Sequence, residues 1–456
     1  MSLESTDRIY RHFLAGFKGA AQPRARRRIG AELKFPFVNF AGEAVSSETV
    51  DALWGYLVER GWRADKDPAS GRATGARKAG ESNDTVASCE TGYCKAEFSL
   101  AHAAGLFELR ETFESVLNDI RPFLEQNGVR LLCYGIQPVT PPSAKLLMKK
   151  MRAGFWDKAL PSNNVISRED GDDVHLFTVN ACSHVHVGVM PEEAVRIVNT
   201  LNGLAGAQIS LTAHSPVLNG WIKTDHKCVN EKLWDWWQPA KGRVGVPSRP
   251  FADLADYVRR IADLRPVYVK REAQPVLLCR HYESFSDYFA EDTATGLTVD
   301  GREIKVVPEM ADIAVHNSCY WYTARISRYF TVENRVFDQQ PGDALLAPAA
   351  LTLGLVCAAE EAWEEVSGYS WDTLREAREQ ACLHGMDWSL DGMSAVSLTE
   401  RMLELAELGL RRRARGEEAF LVPLKERLAG RACPSDEVMS LPRSDWPAAL
   451  LKERAI

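Results

Sequence analysis

Apolar and polar positions follow two different periods in the first 340 residues of the chain. Short segments with an apolar residue at every second position predict strands, and longer segments with a spacing of three or four predict helices. The predicted strands are 29–40, 85–89, 95–100, 129–137, 174–180, 183–189, 266–269, 275–279 and 324–337, and the predicted helices are 3–18, 47–60, 104–126, 191–204 and 249–263. Because several strands follow one another without an intervening helix, the pattern favours an antiparallel sheet with helices on its outer face.

The pattern changes after Pro341. Residues 343–366, 371–384, 397–413 and 417–429 have helical periodicity, with few strand signals between them. We therefore predict an α+β fold with a catalytic region at 1–340 and a helical C-terminal region at 341–456 packed on it. Residues 64–83 are rich in Gly, Ser, Lys and Arg, which predicts a mobile loop, and long loops are more often functional than idle.

Composition and charge make some functions improbable. The 456 residues include 45% hydrophobic and 26% charged residues, which is typical of a folded globular protein. The formal net charge of −7 gives no support to a nucleic-acid partner. Two basic runs, at 24–28 and 411–415, lie beside acidic sequence, a pattern typical of solvated faces.

The cellular location of the protein is predicted from signals for export and membrane insertion that the sequence lacks. The first seven residues are acidic and polar, unlike a signal peptide, and no stretch approaches the roughly 18 apolar residues of a spanning helix. The ten cysteines have neither a disulfide-framework spacing nor a zinc-site spacing. We expect a cytoplasmic protein, monomeric or homodimeric, that acts on small molecules and binds neither nucleic acid nor membrane.

The chain lacks the glycine-rich phosphate loops of common nucleotide-binding folds, so acidic strand residues are the first candidates for chemistry. Glu32 and Lys34 share one face of a predicted strand. Glu90 and Glu97 flank a turn at Gly92, which would bring both carboxylates to one end of the sheet. Such oxygen ligands suit Mg²⁺. An internal Glu32–Lys34 ion pair and a surface hairpin are the alternative interpretations.

Two further strands carry candidate side chains on one face. His184 and His186 have a spacing that suits a metal or a phosphate, although solvent-facing histidines show it as well. Glu333 and Arg335 share a face with Thr331 on the predicted strand 324–337. A carboxylate there can hold a metal ion, and the planar guanidinium matches the oxygens of a phosphoryl group. An exposed ladder of ion pairs is the alternative for this strand.

Taken together, these segments resemble the glutamate–cysteine ligase family and its carboxylate–amine ligase relatives. The matching segments, in chain order, are Gly30 to Glu32, Glu90 to Ser99, His184 to Gly188, His214 to Gly220, Thr331 to Asp338, and the helical segment Leu405 to Arg413. Each match is weak alone, but the ordered set is fairly specific. The resemblance implies a glutamine synthetase-like antiparallel sheet flanked by helices. It also implies an enzyme that uses ATP and Mg²⁺ to join a carboxylate to an amine.

The resemblance further implies roles for individual residues. ATP would phosphorylate the γ-carboxylate of glutamate, and an amine, most readily that of cysteine, would attack the acyl phosphate. The implied metal ligands are Glu32, Glu90, Glu97, Glu333 and His186; the nucleotide contacts are His186, His184 and Arg335; and the catalytic residues are Arg335, Arg325, Arg328 and Lys34. The loop at 64–83 would close over the site and exclude water.

Lys34 is the main departure from the family pattern. It stands where the family usually has a second carboxylate on the first strand, so the ammonium could replace one metal ion or mark a site without turnover. Two alternatives to glutamate–cysteine ligation therefore remain open at the level of sequence. One is a ligase of the same chemistry with a different acceptor, and the other is an ATP-binding homologue that has lost turnover.

Overall fold

A large antiparallel sheet organises the computed structural model, which describes residues 3–20, 23–80, 83–150, 154–222 and 225–456. The described strands are β1 (Ile29–Asn39), β2 (Arg63–Lys66), β3 (Ala73–Lys78), β4 (Thr85–Cys89), β5 (Lys95–Ser99), β6 (Val129–Leu131), β7 (Cys182–Gly188), β8 (Val217–Leu218), β9 (Trp221–Ile222), β10 (Val244–Gly245), β11 (Tyr268–Arg271), β12 (Gln274–Leu277), β13 (Ala294–Leu297), β14 (Glu303–Val306), β15 (Trp321–Tyr322), β16 (Ala324–Ile326), β17 (Thr331–Asp338), β18 (Ser389–Leu390) and β19 (Met393–Ser394). The main sheet has the order β16-β17-β7-β1-β5-β4-β3-β2, with β6 also paired to β1.

Helices surround this sheet and form most of the C-terminal part. They are α1 (Leu3–Ala20), α2 (Ser47–Glu59), α3 (Leu106–Asn127), α4 (Trp156–Ala159), α5 (Pro191–Gly203), α6 (Ala205–Thr212), α7 (Val229–Trp236), α8 (Leu254–Ala262), α9 (Phe285–Phe289), α10 (Met310–His316), α11 (Ala347–Cys357), α12 (Ala359–Ser367), α13 (Trp371–His384), α14 (Ala395–Arg413), α15 (Val422–Gly430), α16 (Pro434–Ser440) and α17 (Trp446–Arg454). The described strands and helices confirm the predicted α+β class.

Alternation along β1 explains how the sheet separates a core from a polar face. Ala31, Leu33 and Phe35 are buried in the main hydrophobic cluster, which also contains residues of α3, α5, α6 and α11. Because side chains alternate across a strand, Glu32 and Lys34 lie on the opposite face. The helices therefore cover one face, and the candidate polar residues lie on the other.

The C-terminal helices share the core of the sheet. Residues of α11 and α14 belong to the same hydrophobic cluster as those of β1 and β7, and α11 packs against both α14 and β7. The division at about residue 340 stays a proposal. Among the described residues no single helix is long and apolar enough to cross a membrane, although the segments Gly342–Cys357 and Ala359–Ser367, bent by 88° at their break, would be so as a pair by length and composition.

The segment 64–83, predicted as a continuous loop, contains two strands. Its residues form the paired strands β2 and β3 at the edge of the main sheet, joined by a turn at 67–72. The polar composition reflects an edge hairpin, because edge strands carry charged side chains that discourage further pairing. Residues 81–82 of the predicted loop lie outside the described part of the chain.

Three other predicted strands differ from the structure. Of the predicted strand 129–137, only Val129–Leu131 forms a strand, β6. Residues Asp173–Thr178 form a 3₁₀ helix, started by the side chain of Asp172, which accepts a hydrogen bond from the backbone N–H of Val174. The predicted strand 324–337 is instead the hairpin of β16 and β17. Its turn contains Phe330 with a φ of 58°, so the usual glycine or asparagine signal for a turn is missing from the sequence.

Close packing of α11 against α14 leaves no room for a side chain at Gly409, and this can be tested. A Cβ atom at this position would overlap the backbone carbonyl of Gly354 on the facing helix. Replacing Gly409 with alanine should therefore lower the free energy of unfolding by about 1–3 kcal/mol, because the two helices must separate. Chemical denaturation would measure this. Gly55 of α2 has open space around its Cβ, so Gly55→Ala is the matched control and should not destabilise.

Candidate active site

The register of four neighbouring strands brings the candidate polar residues into one group. On β1 and β7, Glu32 lies opposite His184. Glu333 of β17 lies opposite both His186 of β7 and Arg325 of β16. On the other side of β1, Lys34 lies opposite Glu97 of β5. The described structure thus places seven predicted residues in a continuous polar patch: Glu32, Lys34, Glu97, His184, His186, Arg325 and Glu333.

Three of these side chains converge in a geometry suited to a metal ion. Glu32, His186 and Glu333 each offer a ligand atom, and these atoms lie within 4.8 Å of one another. No other group of three or more such ligands converges in the part of the chain that the structure describes. Glu90 and Glu97, which were predicted as metal ligands as well, do not join this group.

The ring of His186 is oriented for such a role. Its Nδ1 lies 3.0 Å from the hydroxyl oxygen of Thr331, which in turn lies 2.8 Å from that of Ser327. Its Nε2 is buried and has no hydrogen-bond partner, although Glu32 Oε1 lies 3.4 Å away. If Nδ1–H donates to Thr331, the lone pair of Nε2 points into the carboxylate pair, as a metal-binding imidazole requires.

Glu333 is a buried carboxylate between two arginines. Arg325 Nε donates to its Oε2 at 2.8 Å, and Arg335 donates to its Oε1. Burial alone would raise the pKa of Glu333, but the charges of Arg325 and Arg335 hold it well below the ordinary value. Each carboxylate oxygen keeps a second lone pair, so Glu333 can also bind a cation.

Lys34 occupies the centre of the patch and is almost fully buried. Its Nζ lies 2.8 Å from Glu32 Oε2, 3.1 Å from His184 Nδ1 and 3.9 Å from Glu97 Oε2. Burial alone would lower the pKa of Lys34, but the charges of Glu32 and Glu97 raise it instead. The ammonium is therefore a fixed positive charge among carboxylates, and the internal Glu32–Lys34 pair that the sequence allowed is present in the structure.

Glu97 and Glu90 are neighbours, as the predicted hairpin required. Burial raises the pKa of Glu97 to about 8, and the nearby charge of Glu90 and a hydrogen bond with it act in the same direction. The hydroxyl of Ser99 donates to Glu97 Oε1 at 2.8 Å. Glu97 thus faces Lys34 on one side and a second carboxyl on the other.

The ring of His184 lies inside the patch, between Glu32 and Cys182. Its Nδ1 lies 2.9 Å from Glu32 Oε2, and its Nε2 lies 3.1 Å from Cys182 Sγ. Burial, together with the charges of Arg335 and Lys34, lowers the pKa of His184 to about 3. The neutral ring can donate to Glu32 and accept from the thiol of Cys182. We interpret His184 as a support for Glu32, while His186 has the better geometry for metal or phosphate.

Arg328 lies apart from this group, at the exposed tip of the β16–β17 hairpin. Its guanidinium lies over the ring of Tyr329, 4.7 Å from the centroid, and that ring in turn lies 6.3 Å from the ring of His186. The turn is anchored by Phe330, whose ring contacts Phe13 and Phe17 of α1. A Cβ at Gly16 would overlap this ring, so the glycine in α1 makes room for the anchor.

Sequence reasoning assigned no role to three residues with clear positions in the patch. Thr331 contacts His186, Cys182 contacts His184, and Ser99 donates to Glu97. Each lies two residues from a predicted site residue on the same strand. Strand alternation placed Thr331 on the polar face, and the same argument would have placed Cys182 and Ser99 there. Their small, weakly polar side chains gave no chemical signal of their own.

The donor set fits a hard divalent cation. Two carboxylates supply the oxygen ligands that Mg²⁺ and Mn²⁺ prefer, and the unpartnered Nε2 of His186 supplies a third ligand. Three protein ligands leave coordination positions for water and for phosphate oxygens. The guanidinium of Arg335 beside Glu333 is well placed to contact such a phosphate.

Thr331 provides a direct test of the orientation of His186. Replacing it with valine removes the oxygen partner of Nδ1 and should weaken divalent-cation affinity by about 10- to 100-fold, the usual cost of losing such a supporting hydrogen bond. Titration of Mn²⁺ followed by electron paramagnetic resonance would measure the change. Thr331→Ser keeps the hydroxyl and is the matched control. Equal affinity in the valine and serine variants would contradict the assigned role.

A comparison with models of protein families shows which family the chain belongs to. A family model described as glutamate-cysteine ligase family 2 matches residues 28–450, which is nearly the whole chain. The chain belongs to glutamate–cysteine ligase family 2. Membership confirms the resemblance seen in the sequence and makes the protein an ATP-dependent ligase. A comparison with curated proteins gave no match.

A solved structure agrees with the family at the level of fold. The glutamate–cysteine ligase of Francisella tularensis, solved in complex with AMP, is 9% identical with a TM-score of 0.53, and the match covers 94% of this chain and 87% of that chain. A bifunctional glutathione synthetase from Pasteurella multocida is 10% identical with a TM-score of 0.49, and the match covers 96% of this chain and 52% of that chain. The likeness to the first structure supports the predicted glutamine synthetase-like sheet flanked by helices.

Proposed function

We propose that this member of glutamate–cysteine ligase family 2 joins the γ-carboxylate of glutamate to the amine of cysteine, with ATP and Mg²⁺. One observation supports this most strongly: Glu32, His186 and Glu333 converge beside Arg325 and Arg335 on the polar face of the sheet. That arrangement combines a cation site with guanidinium groups, which is what a phosphoryl transfer from ATP to a carboxylate requires.

The residues of this chain would divide the work as follows. Glu32, His186 and Glu333 hold the divalent cation, which when bound neutralises charge on the nucleotide phosphates. Arg335 and Arg325 flank Glu333 and offer donors to the transferring phosphoryl group. The γ-carboxylate of glutamate takes the γ-phosphoryl group of ATP with release of ADP, and the amine of the acceptor then attacks the carbonyl carbon of this acyl phosphate, loses a proton and displaces phosphate. Phosphate release thus leaves an amide.

Lys34 gives the site a permanent positive charge that needs no metal ion. Its ammonium lies among Glu32, Glu97 and His184, where a further cation would otherwise be needed to neutralise the carboxylates. We propose that Glu90 and Glu97 are balanced by Lys34 in the resting protein, so that fewer divalent cations are bound than there are carboxylates in the patch. Arg328, at the exposed hairpin tip next to Tyr329, would offer a further donor to a bound substrate.

The experiment that tests this function is Mg²⁺-dependent phosphate release from ATP, measured with glutamate and a panel of amines led by cysteine. We expect release only when both glutamate and cysteine are present, and mass spectrometry should then show γ-glutamylcysteine. Release with a different amine would keep the ligase chemistry and change the acceptor. No release with any pair, despite ATP binding, would reject the proposal and favour a homologue without turnover.

A further inference from the structure

The two basic runs of the sequence meet in the folded chain instead of forming two separate solvated faces. Arg24 and Arg27 from the first run lie at one cavity with Arg412, Arg413 and Arg415 from the second. Arg196 of α5 adds a sixth guanidinium to the wall. The cavity has a volume of about 380 Å³, within the range of pockets that hold small molecules.

Positive charge exceeds negative charge around this cavity. Three carboxylates line it together with the six guanidiniums, namely those of Glu193, Glu360 and Glu361. A fourth, the fully buried Glu417, lies behind the wall and pairs with Arg413. Even when Glu417 is included, the arginines outnumber the carboxylates by two.

The ion pairs in the wall leave donors to spare. Arg24 and Arg27 share the single carboxylate of Glu193, which is itself buried. Arg24 and Arg196 share Glu360, at 3.9 and 3.4 Å, and that carboxylate is 68% exposed. A guanidinium has five N–H donors, so pairs of arginines that share one carboxylate can still bind the oxygens of an added anion.

Two helix ends meet at the same cavity, the last turn of α11 at Val356 and Cys357 and the first turn of α12. Helix α12 begins at Ala359, and the residue before it, Ala358, supplies no side-chain cap for the first amides. Ala359, Glu360 and Glu361, the first turn of α12, belong to the cavity wall. The N–H groups of a helix start favour a bound anion. Because the carbonyl end of α11 lies beside the amide end of α12, the two helix ends offset one another, and the six arginines supply the positive potential of the cavity.

We propose that this cavity binds a small polyanion with two or more negative charges on phosphate or carboxylate groups. The site is separate from the ligase site, because none of the three convergent candidate metal ligands, Glu32, His186 and Glu333, lines the cavity. It is nevertheless connected to the active sheet. Arg27 lies two residues before β1, and Glu193 lies in the helix that follows β7, so a ligand in the cavity contacts both segments that lead to the metal group.

Calorimetric titration of the metal-free protein with pyrophosphate and with citrate, at low ionic strength, tests this proposal. We expect one site per chain for at least one of the two probes, with an affinity that falls as salt is added. The double variant Arg196→Gln, Arg412→Gln should bind at least about tenfold more weakly, since two charge-assisted contacts are lost. Both side chains are partly exposed, so the fold should survive, and thermal unfolding of each variant checks this.

The matched control removes two arginines outside the cavity. Arg401 and Arg411 lie on α14, are ion-paired with glutamates and do not line the wall. The variant Arg401→Gln, Arg411→Gln should bind like the wild type. Binding of pyrophosphate alone identifies a phosphorylated ligand, and binding of citrate alone identifies a polycarboxylate. Equal loss in both double variants, no loss in the Arg196–Arg412 variant, or no binding by the wild type would overturn the proposal.

Discussion

Replacing Glu333 with glutamine should lower ligase turnover by about a thousandfold and abolish tight binding of a divalent cation. The carboxylate is one of three convergent ligands and the common partner of Arg325 and Arg335, so its charge organises both the cation site and the phosphate site. A neutral amide keeps the shape of the side chain and removes this charge. Steady-state phosphate release and Mn²⁺ titration would measure the two effects separately.

The control for this prediction is Glu333→Asp, which keeps the charge on a shorter side chain. It should retain more cation affinity than the glutamine variant. Thermal unfolding of both variants shows whether the loss of activity follows from a loss of fold, because a buried carboxylate between two arginines also contributes to stability. Turnover of Glu333→Gln within tenfold of the wild type would contradict the central position given to this residue.

Replacing Lys34 with methionine should lower the free energy of unfolding by about 3–5 kcal/mol in metal-free buffer, because the buried carboxylates lose their cation. Glu32 and Glu97 are the carboxylates within 4 Å of its ammonium. A divalent cation can take the place of the lost charge, so added Mg²⁺ should restore more stability in this variant than in the wild type. Chemical denaturation with and without Mg²⁺ measures the difference.

Lys95→Met is the matched control for the lysine prediction. Lys95 is also buried, but its Nζ donates to the carbonyl of Phe177 and to Asn180 instead of bridging carboxylates. Its loss should destabilise the protein without the same restoration by Mg²⁺. If Mg²⁺ restores neither variant, or both equally, then Lys34 does not occupy a cation position. Loss of turnover in Lys34→Met would assign the ammonium to the reaction as well.

Much of the sheet could be predicted from sequence, because its central strands carry strong alternation. The strand Ile29–Asn39 and the helix Pro191–Gly203 agree with their predicted bounds to within one residue. The hairpin at β16–β17 could not be predicted, since its turn uses Phe330 in a left-handed conformation held by packing against α1. That packing joins residues more than 300 positions apart, which local patterns do not encode.

The candidate site was predictable as a set of residues but not as an arrangement. Strand alternation placed Glu32, His186 and Glu333 on polar faces, and the resemblance to the family supplied their order. Only the register of β1, β7 and β17 shows that these three converge. The two histidines looked equivalent in the sequence, and their different partners in the structure separate the support role of His184 from the open ring of His186.

The surroundings of the charged residues were likewise not predictable from the sequence alone. Lys34 could be recognised as unusual from its position, but its burial among carboxylates depends on the pairing of β1 with β5. The basic runs at 24–28 and 411–415 looked like separate solvated faces, because nothing in either run indicates the other. Contacts between distant parts of the chain determine the surroundings of Lys34 and of the two basic runs, and only the folded structure shows these contacts.

The most direct test of the account follows an oxygen atom from glutamate to phosphate. Glutamate labelled with ¹⁸O in its γ-carboxylate is incubated with ATP, Mg²⁺, cysteine and the protein, and the released phosphate is analysed by mass spectrometry. An acyl phosphate route transfers one carboxylate oxygen to the phosphate, so the account predicts one ¹⁸O atom in each phosphate and a labelled γ-glutamyl amide. Unlabelled phosphate, released at the same rate as any amide product, would contradict phosphorylation of the carboxylate at this site.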